Sequence, residues 1–245
     1  MNDQLNEYET HGQISYELDE KVLAKDFMSQ VFGFMSAALA ISGIAAWAFG
    51  ASAKLMSYLY NPLTGMTMLG WVTMLAPLGF VIVMGVRYHK LSLSALATSF
   101  LLFALINGIS LSFIFLVYTD ASIVATFFIT AGTFATMAVL GWRTRTDLTK
   151  FGSMLYMALI GIIIAMVVNY FFLKSGTMDY VISFIGVLIF TGLTAYDVQK
   201  LKRIGASVQF GTELASKAAV MGALSLYLDF INLFLFLLRF LGSRD

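Results

Sequence analysis

The chain has 245 residues, of which 59% are hydrophobic and only 12% are charged, about half of the roughly 25% that is typical of a soluble domain. So few polar side chains exclude both a soluble globule, whose surface they would fail to cover, and a disordered chain. The lack of cysteine excludes disulfides and thiolate metal sites. The composition therefore indicates a membrane protein.

The net charge of +1 conceals an asymmetry along the chain. Residues 1–26 contain seven acids and two bases, a net charge of −5, whereas residues 27–245 contain 13 bases and seven acids, a net charge of +6. We expect residues 1–26 to form an acidic, flexible, cytoplasmic N-terminal tail, and residues 27–242 to form the transmembrane domain. The tail lacks the basic n-region of a cleavable signal peptide, so we expect it to be retained.

Seven stretches are long and apolar enough to cross a bilayer, which requires about 20 mostly apolar residues. The first five contain no charged residue, the sixth contains Asp197 and Lys200, and the seventh contains Asp229. No stretch alternates apolar and polar residues as a barrel strand does. The predicted fold class is therefore all-α, a bundle of seven transmembrane helices near residues 27–49, 66–86, 92–117, 121–142, 151–173, 180–200 and 218–238.

Lysine and arginine predict the orientation, because positively charged loops stay in the cytoplasm. With the N-terminus inside, the inner segments carry 11 of the 15 bases and the outer segments carry four. We therefore predict a cytoplasmic N-terminus and, after seven crossings, a C-terminus on the outside.

Asp197 and Asp229 are the main candidate functional residues. A charged carboxylate at the bilayer centre costs at least about 2.5–3.5 kcal/mol, so such residues normally face a bundle interior or water. Asp197 has a structural alternative, because Lys200 lies three residues further on and can form an interfacial ion pair. Asp229 has no base within a turn, only Asn232 at i+3.

Whether the two carboxyl groups meet stays open, since their depths in the two helices match only within the uncertainty of the helix ends. If they meet, both cannot ionise cheaply, and the pair would share a proton and titrate as a unit. Such a pair would sense protons, and its ionised form would offer the hard oxygen ligands that suit Ca²⁺.

Two segments resemble the two signature sequences of the Bax-inhibitor family, also called the transmembrane Bax-inhibitor-motif proteins. Residues 194–200 read Thr-Ala-Tyr-Asp-Val-Gln-Lys, and residues 223–234 read Ala-Leu-Ser-Leu-Tyr-Leu-Asp-Phe-Ile-Asn-Leu-Phe. Residues 107–112, Asn-Gly-Ile-Ser-Leu-Ser, also fit. The resemblance extends over residues 27–242.

This resemblance implies a seven-helix bundle with the last helix at its centre. It implies that Asp197 and Asp229 are the family's paired aspartates, a pH-sensing Ca²⁺-leak element and a candidate Ca²⁺ site. Arg87 would be the latch that some members place on an aspartate, with Asn232 as a supporting residue. The chain ends without a basic retention tail, which suits a bacterial member in the cytoplasmic membrane. Some bacterial members act instead on other membrane proteins, including a membrane protease.

Enzymatic alternatives fit the sequence poorly. Tyr196 and Asp197 match half of the signature of intramembrane aspartyl proteases, but the other half, Gly-x-Gly-Asp, is absent at Asp229. A rhomboid-type Gly-x-Ser-Gly site, a retinal-binding lysine in the last helix and a phosphate-binding loop are also absent. We therefore predict no enzymatic activity and no cofactor.

Two functions remain, a pH-sensitive Ca²⁺ leak gated by the aspartate pair and a regulatory protein that binds other membrane proteins. The expected partners are the lipid bilayer, Ca²⁺, protons and other membrane proteins, with no nucleic acid.

Overall fold

A computed structural model describes residues 2–208 and 211–243, with side chains from residue 22 onward. A short hairpin of β1 (Tyr60–Asn61) and β2 (Gly65–Met66) follows α2. A 3₁₀ segment, Ser112–Leu116, continues α4, and a π-helical segment, Asn169–Leu173, continues α6. The helices are α1 (Asn2–Gly50), α2 (Ala53–Ser57), α3 (Met68–Arg87), α4 (Leu93–Leu111), α5 (Asp120–Arg143), α6 (Thr149–Val168), α7 (Gly176–Ser207) and α8 (Glu213–Leu241).

Seven of these helices are long and apolar enough to cross a membrane, which confirms the predicted all-α bundle. Helices α7 and α8 extend beyond the predicted ranges 180–200 and 218–238. Charged residues interrupt an apolar stretch of sequence, but the backbone hydrogen bonds of a helix continue through them. Helix α8 begins at its cap, where the Thr212 side chain accepts a hydrogen bond from the Ala215 amide.

Helix α1 is continuous from Asn2 to Gly50, and its membrane-spanning part begins at Val22. The backbone shows no break at the predicted boundary between residues 26 and 27. Residue 1 and the side chains before Val22 lie outside the described structure. The flexibility and cytoplasmic location of the acidic tail therefore stay predictions.

Helix α8 occupies the centre of the bundle, as the resemblance implied. It packs against α1, α4, α5 and α7. In the most apolar part of α8, 72% of the residues are buried. The buried share is 61% in α7 and 17–33% in the other spans. The apolar side chains that remain exposed on the outer helices match what a lipid-facing surface requires.

Two glycines let helices approach each other closely. A Cβ on Gly108 of α4 would overlap the backbone of Ser42 in α1, and one on Gly141 of α5 would overlap the backbone of Ala195 in α7. Close approach of this kind is the usual way in which transmembrane helices gain van der Waals contact. The contact at Ala195 lies two residues before Asp197, so Gly141 helps to position this part of α7.

The loops 88–92 and 144–148 and the turn after Ser207 lie at one end of the bundle, which we call the basic face. The opposite face carries the β hairpin and the ends of α1, α4, α6 and α8. The bases at or near the basic face are Lys25, Arg87, Lys90, Arg143, Arg145, Lys150, Lys200, Lys202, Arg203 and Lys217.

Candidate functional site

The carboxyl groups of Asp197 and Asp229 lie within hydrogen-bonding reach of each other. Both residues are buried, at 2% and 5% exposure. Helices α7 and α8 bring them together by packing along much of their lengths. The structure thus answers the question that the sequence left open.

Asp197 is surrounded by hydroxyl donors from two neighbouring helices. The Ser225 hydroxyl of α8 donates to Asp197 Oδ2 at 2.7 Å. The Tyr156 hydroxyl of α6 lies 3.3 Å from Oδ1 and 3.5 Å from Oδ2. Both carboxyl oxygens of Asp197 therefore have a hydroxyl neighbour.

Asp229 has a different environment. Its Oδ2 atom is buried and has no hydrogen-bond partner among the described residues. An unsatisfied buried oxygen is expensive, and two adjoining carboxylates in a low-dielectric interior cannot both be charged without compensation. The pair is therefore best accommodated with one shared proton, or with a cation when both groups are ionised.

A cavity of about 440 Å³ reaches Asp197 from the basic face. Its lining includes Lys200 and Ser225, together with Gly85 of α3 and Tyr88, the residue that follows this helix. Lys200 is exposed, and no ion pair between it and Asp197 occurs in the described chain. The structural alternative for Asp197 therefore finds no support in the geometry.

A second cavity, of about 330 Å³, reaches Asp229 from the other side. Ser225 and Leu228 line both cavities, so the aspartate pair stands at the boundary between them. Asn232 lines the second cavity, but its amide donates to the Leu228 carbonyl at 2.8 Å instead of to Asp229. Apolar side chains of α6 and α7 form most of the remaining wall.

A third cavity, of about 660 Å³, opens at the opposite face and shares Met166 with the second. An ion-pair cluster forms part of its wall. Arg239 and the buried amide of Asn169 both donate to Asp179 Oδ1, at 2.9 and 2.8 Å. The three cavities form a row across the bundle, with the aspartate pair between the first two.

Arg87 does not meet the aspartate pair. Its side chain is exposed at the end of α3 and lines neither cavity beside the pair. Gly85 and Tyr88, its neighbours in sequence, line the cavity at the basic face instead. The latch role implied by the resemblance stays a prediction.

A clamp on the basic face holds the loop between α5 and α6 against α7. Gln199 accepts a hydrogen bond from the Leu148 amide at 2.9 Å and donates to the Thr146 carbonyl at 2.8 Å. Arg203 pairs with Asp147 at 2.7 Å. Hydrogen bonds from the Thr149 side chain and from Arg203 hold the pKa of Asp147 well below its usual range.

Tyr156 and Ser225 are site residues that the sequence analysis missed. Ser225 precedes Asp229 by four residues and therefore shares its helix face, a spacing that was available as a signal. Tyr156 is one polar side chain within an apolar span, and nothing in the sequence indicates that α6 packs beside Asp197. The Asp179–Arg239 pair joins two spans 60 residues apart, which spacing alone does not reveal.

Comparison with known proteins gives one consistent result. The model of the family described as "Inhibitor of apoptosis-promoting Bax1" matches residues 24–245. An uncharacterized protein of Borreliella burgdorferi is 45% identical over 232 residues, covering 94% of this chain and 97% of that protein. The inner membrane protein YbhL of Escherichia coli K12 is 44% identical over 219 residues, covering 89% of this chain and 92% of YbhL. Neither name assigns a catalytic activity.

Proposed function

The chain belongs to the Bax inhibitor family of membrane proteins, and we propose that it is a pH-sensitive cation leak of the bacterial cytoplasmic membrane with Ca²⁺ as its ion. The observation that carries this proposal is the buried pair of Asp197 and Asp229 at the boundary between two cavities. Buried acids within membrane spans are typical of ion and proton pathways.

Proton binding and cation binding are linked at this pair. When one proton is shared, the pair carries a single negative charge, and the Ser225 and Tyr156 hydroxyls stabilise it. Loss of that proton places two negative charges side by side, and a cation between them lowers the cost. Protons and cations therefore compete for the same oxygens, which makes the flux depend on pH.

The ligand set suits a passing ion better than a resident one. Ca²⁺ takes about six to eight oxygen ligands, whereas the two carboxyl groups supply four at most, and the Ser225 and Tyr156 hydroxyls are already engaged as donors to Asp197. Within residues 22–208 and 211–243, no group of three or more acidic or histidine side chains is placed to hold a metal. Water would complete the shell, which allows the ion to leave as well as to enter.

We further propose that the basic face is cytoplasmic. The excess of lysine and arginine supports this orientation, and the name of the relative YbhL supports the inner-membrane location. The N-terminus would then be inside and the C-terminus outside. A reporter fused to the C-terminus should be active only in its periplasmic form, and a cytoplasmic readout would contradict the proposed topology.

Calcium flux into proteoliposomes tests the proposed leak. The unsubstituted protein should show pH-dependent flux, and Asp197→Asn or Asp229→Asn should shift or abolish that dependence. Asp147→Asn is the matched control, because this acid is exposed on the basic face and lies outside the row of cavities. Unchanged flux with an unchanged pH response in both aspartate variants would refute the leak.

A second candidate function is regulation of other membrane proteins, such as a membrane protease. Helix α3 supports this second function, because it packs mainly against α4 and only 17% of the residues in its most apolar part are buried. Crosslinking in native membranes should then recover a stoichiometric partner, and the complex should form equally well with Asp197→Asn and Asp229→Asn. A partner lost in the aspartate variants would contradict an independent regulatory role.

A further inference from the structure

An apolar groove runs along the membrane-facing side of the bundle between α1 and α5. Both helices pack on α8, but they form no substantial interface with each other in the described chain. The gap is a cavity of about 480 Å³ whose floor is Phe230, Ile231 and Phe234 of α8. Its walls are almost wholly apolar, and they include the exposed rings of Trp47 and Phe128.

The groove continues into a polar cup at the face opposite the basic one. The cup is a cavity of about 360 Å³ that shares Trp47, Phe115 and Asp120 with the groove. Thr119 and the backbone at Gly50 supply further polar groups. Groove and cup together form one amphipathic site, which we call the α1–α5 site.

Asp120 gives this site its electrostatic character. It is the only charged residue among the described residues that line the groove or the cup. Its carboxylate forms no ion pair within the described chain. A positively charged group in the cup would therefore gain a partner, whereas a negatively charged group would be repelled.

The dimensions match one leaflet of a bilayer. The groove extends over residues 39–47 of α1 and 120–128 of α5, about 12 Å along each helix at 1.5 Å per residue. One leaflet contributes roughly 15 Å of hydrocarbon. The cup carries Trp47 and Tyr118, and these two residue types concentrate where hydrocarbon meets headgroups.

We propose that the α1–α5 site binds a phospholipid whose headgroup carries a primary amine, such as phosphatidylethanolamine. One acyl chain lies in the groove, and the ammonium group lies beside Asp120 in the cup. The site thereby selects an amine-bearing lipid over an anionic lipid such as phosphatidylglycerol, because only the former offers a cation to the carboxylate. This proposal is independent of the proposed ion leak.

Trp47 provides the readout, because it lines both the groove and the cup. The chain contains three tryptophans, so Trp71→Phe with Trp142→Phe leaves Trp47 as the only one. This protein is reconstituted in phosphatidylcholine vesicles with equal minor fractions of phosphatidylethanolamine or phosphatidylglycerol that carry brominated acyl chains. Brominated phosphatidylethanolamine should quench Trp47 with about a two- to fivefold preference, the range expected for a partly exposed ion pair.

Two substitutions separate the headgroup contact from the acyl-chain contact. Asp120→Asn should remove the headgroup preference. Gly43→Leu should fill the groove and reduce the selective quenching, because Gly43 lines the groove and a Cβ there meets nothing within 4 Å. Gly33→Leu is the matched control, on the same helix with equally free space but outside the groove.

Equal quenching by both brominated lipids would overturn the proposal, since ordinary lipids around the bundle would then account for it. A preference that survives Asp120→Asn would also overturn it. Absence of quenching by any lipid would overturn it as well, because protein, such as a second copy of the chain, would then cover the groove.

Discussion

Substitution of Tyr227 by phenylalanine tests a buried chain of hydrogen bonds that joins α1, α4 and α8. Tyr227 is fully buried, and its hydroxyl accepts from the Asn107 amide at 2.8 Å. The same hydroxyl lies 2.6 Å from Ser42 Oγ, which lies 2.7 Å from the Ala104 carbonyl. The Ala104 carbonyl can only accept a hydrogen bond. Asn107 therefore donates to Tyr227, Tyr227 donates to Ser42, and Ser42 donates to Ala104.

The phenylalanine variant removes two of these bonds and keeps the ring packing. Hydrogen bonds between membrane helices are worth about 0.6 kcal/mol on average and about 1.7 kcal/mol at most. We therefore expect Tyr227→Phe to lower the free energy of unfolding by about 1–3 kcal/mol. Ser42→Ala should cost about 1 kcal/mol, because Tyr227 loses the acceptor for its proton.

The double variant measures the bond itself. Its destabilisation should be smaller than the sum of the two single effects by about 1 kcal/mol, since each single substitution already breaks the Ser42–Tyr227 bond. Reversible unfolding by SDS in mixed micelles supplies the free energies, with Tyr180→Phe, an exposed tyrosine, as the control. Strict additivity, or a Tyr227→Phe variant as stable as the control, would refute the reasoning.

Two further predictions concern the surroundings of the aspartate pair. Ser225→Ala removes the 2.7 Å donor to Asp197, so the pH dependence of Ca²⁺ flux should differ from that of the unsubstituted protein. An unchanged pH profile would show that this bond does not influence the aspartate pair. Gly141→Leu should lower the SDS unfolding midpoint strongly because its side chain would overlap the backbone of Ala195, whereas Gly132→Leu on the same helix meets open space and should not; equal effects would contradict the close approach of α5 and α7.

Composition and the length of apolar stretches predicted the seven spans, because crossing hydrocarbon imposes one length and one polarity on every helix. The same constraint singled out Asp197 and Asp229, since few acids occur within the spans. The pairing of the two carboxyls was not predictable, because it depends on how far α7 and α8 slide along each other. The relative positions of α7 and α8 depend partly on the helix ends at Ser207 and Glu213. The hydropathy pattern did not indicate these ends, because charged residues lie close to them.

The residues that support the pair were harder to identify for the same reason. Hydrophobic periodicity tells which face of a soluble helix is buried, but a helix in lipid is apolar all round. Tyr156 of α6 and Gly85 of α3 therefore gave no sign of facing the aspartate region. The helix neighbours of a span depend on packing between side chains, which a single sequence does not show.

The position of Tyr227 relative to Asp229 explains how α8 can hold both a structural and a functional polar group. Two residues correspond to about 200° around a helix, so the two side chains point in nearly opposite directions. Tyr227 fixes α8 to α1 and α4, whereas Asp229 and Ser225, four residues apart on one face, meet α6 and α7. A register shift of α8 by even one residue would break the Tyr227 hydrogen bonds and, at the same time, move the two carboxyl groups apart. The hydrogen bonds on one side of α8 therefore maintain the geometry of the aspartate pair on the other.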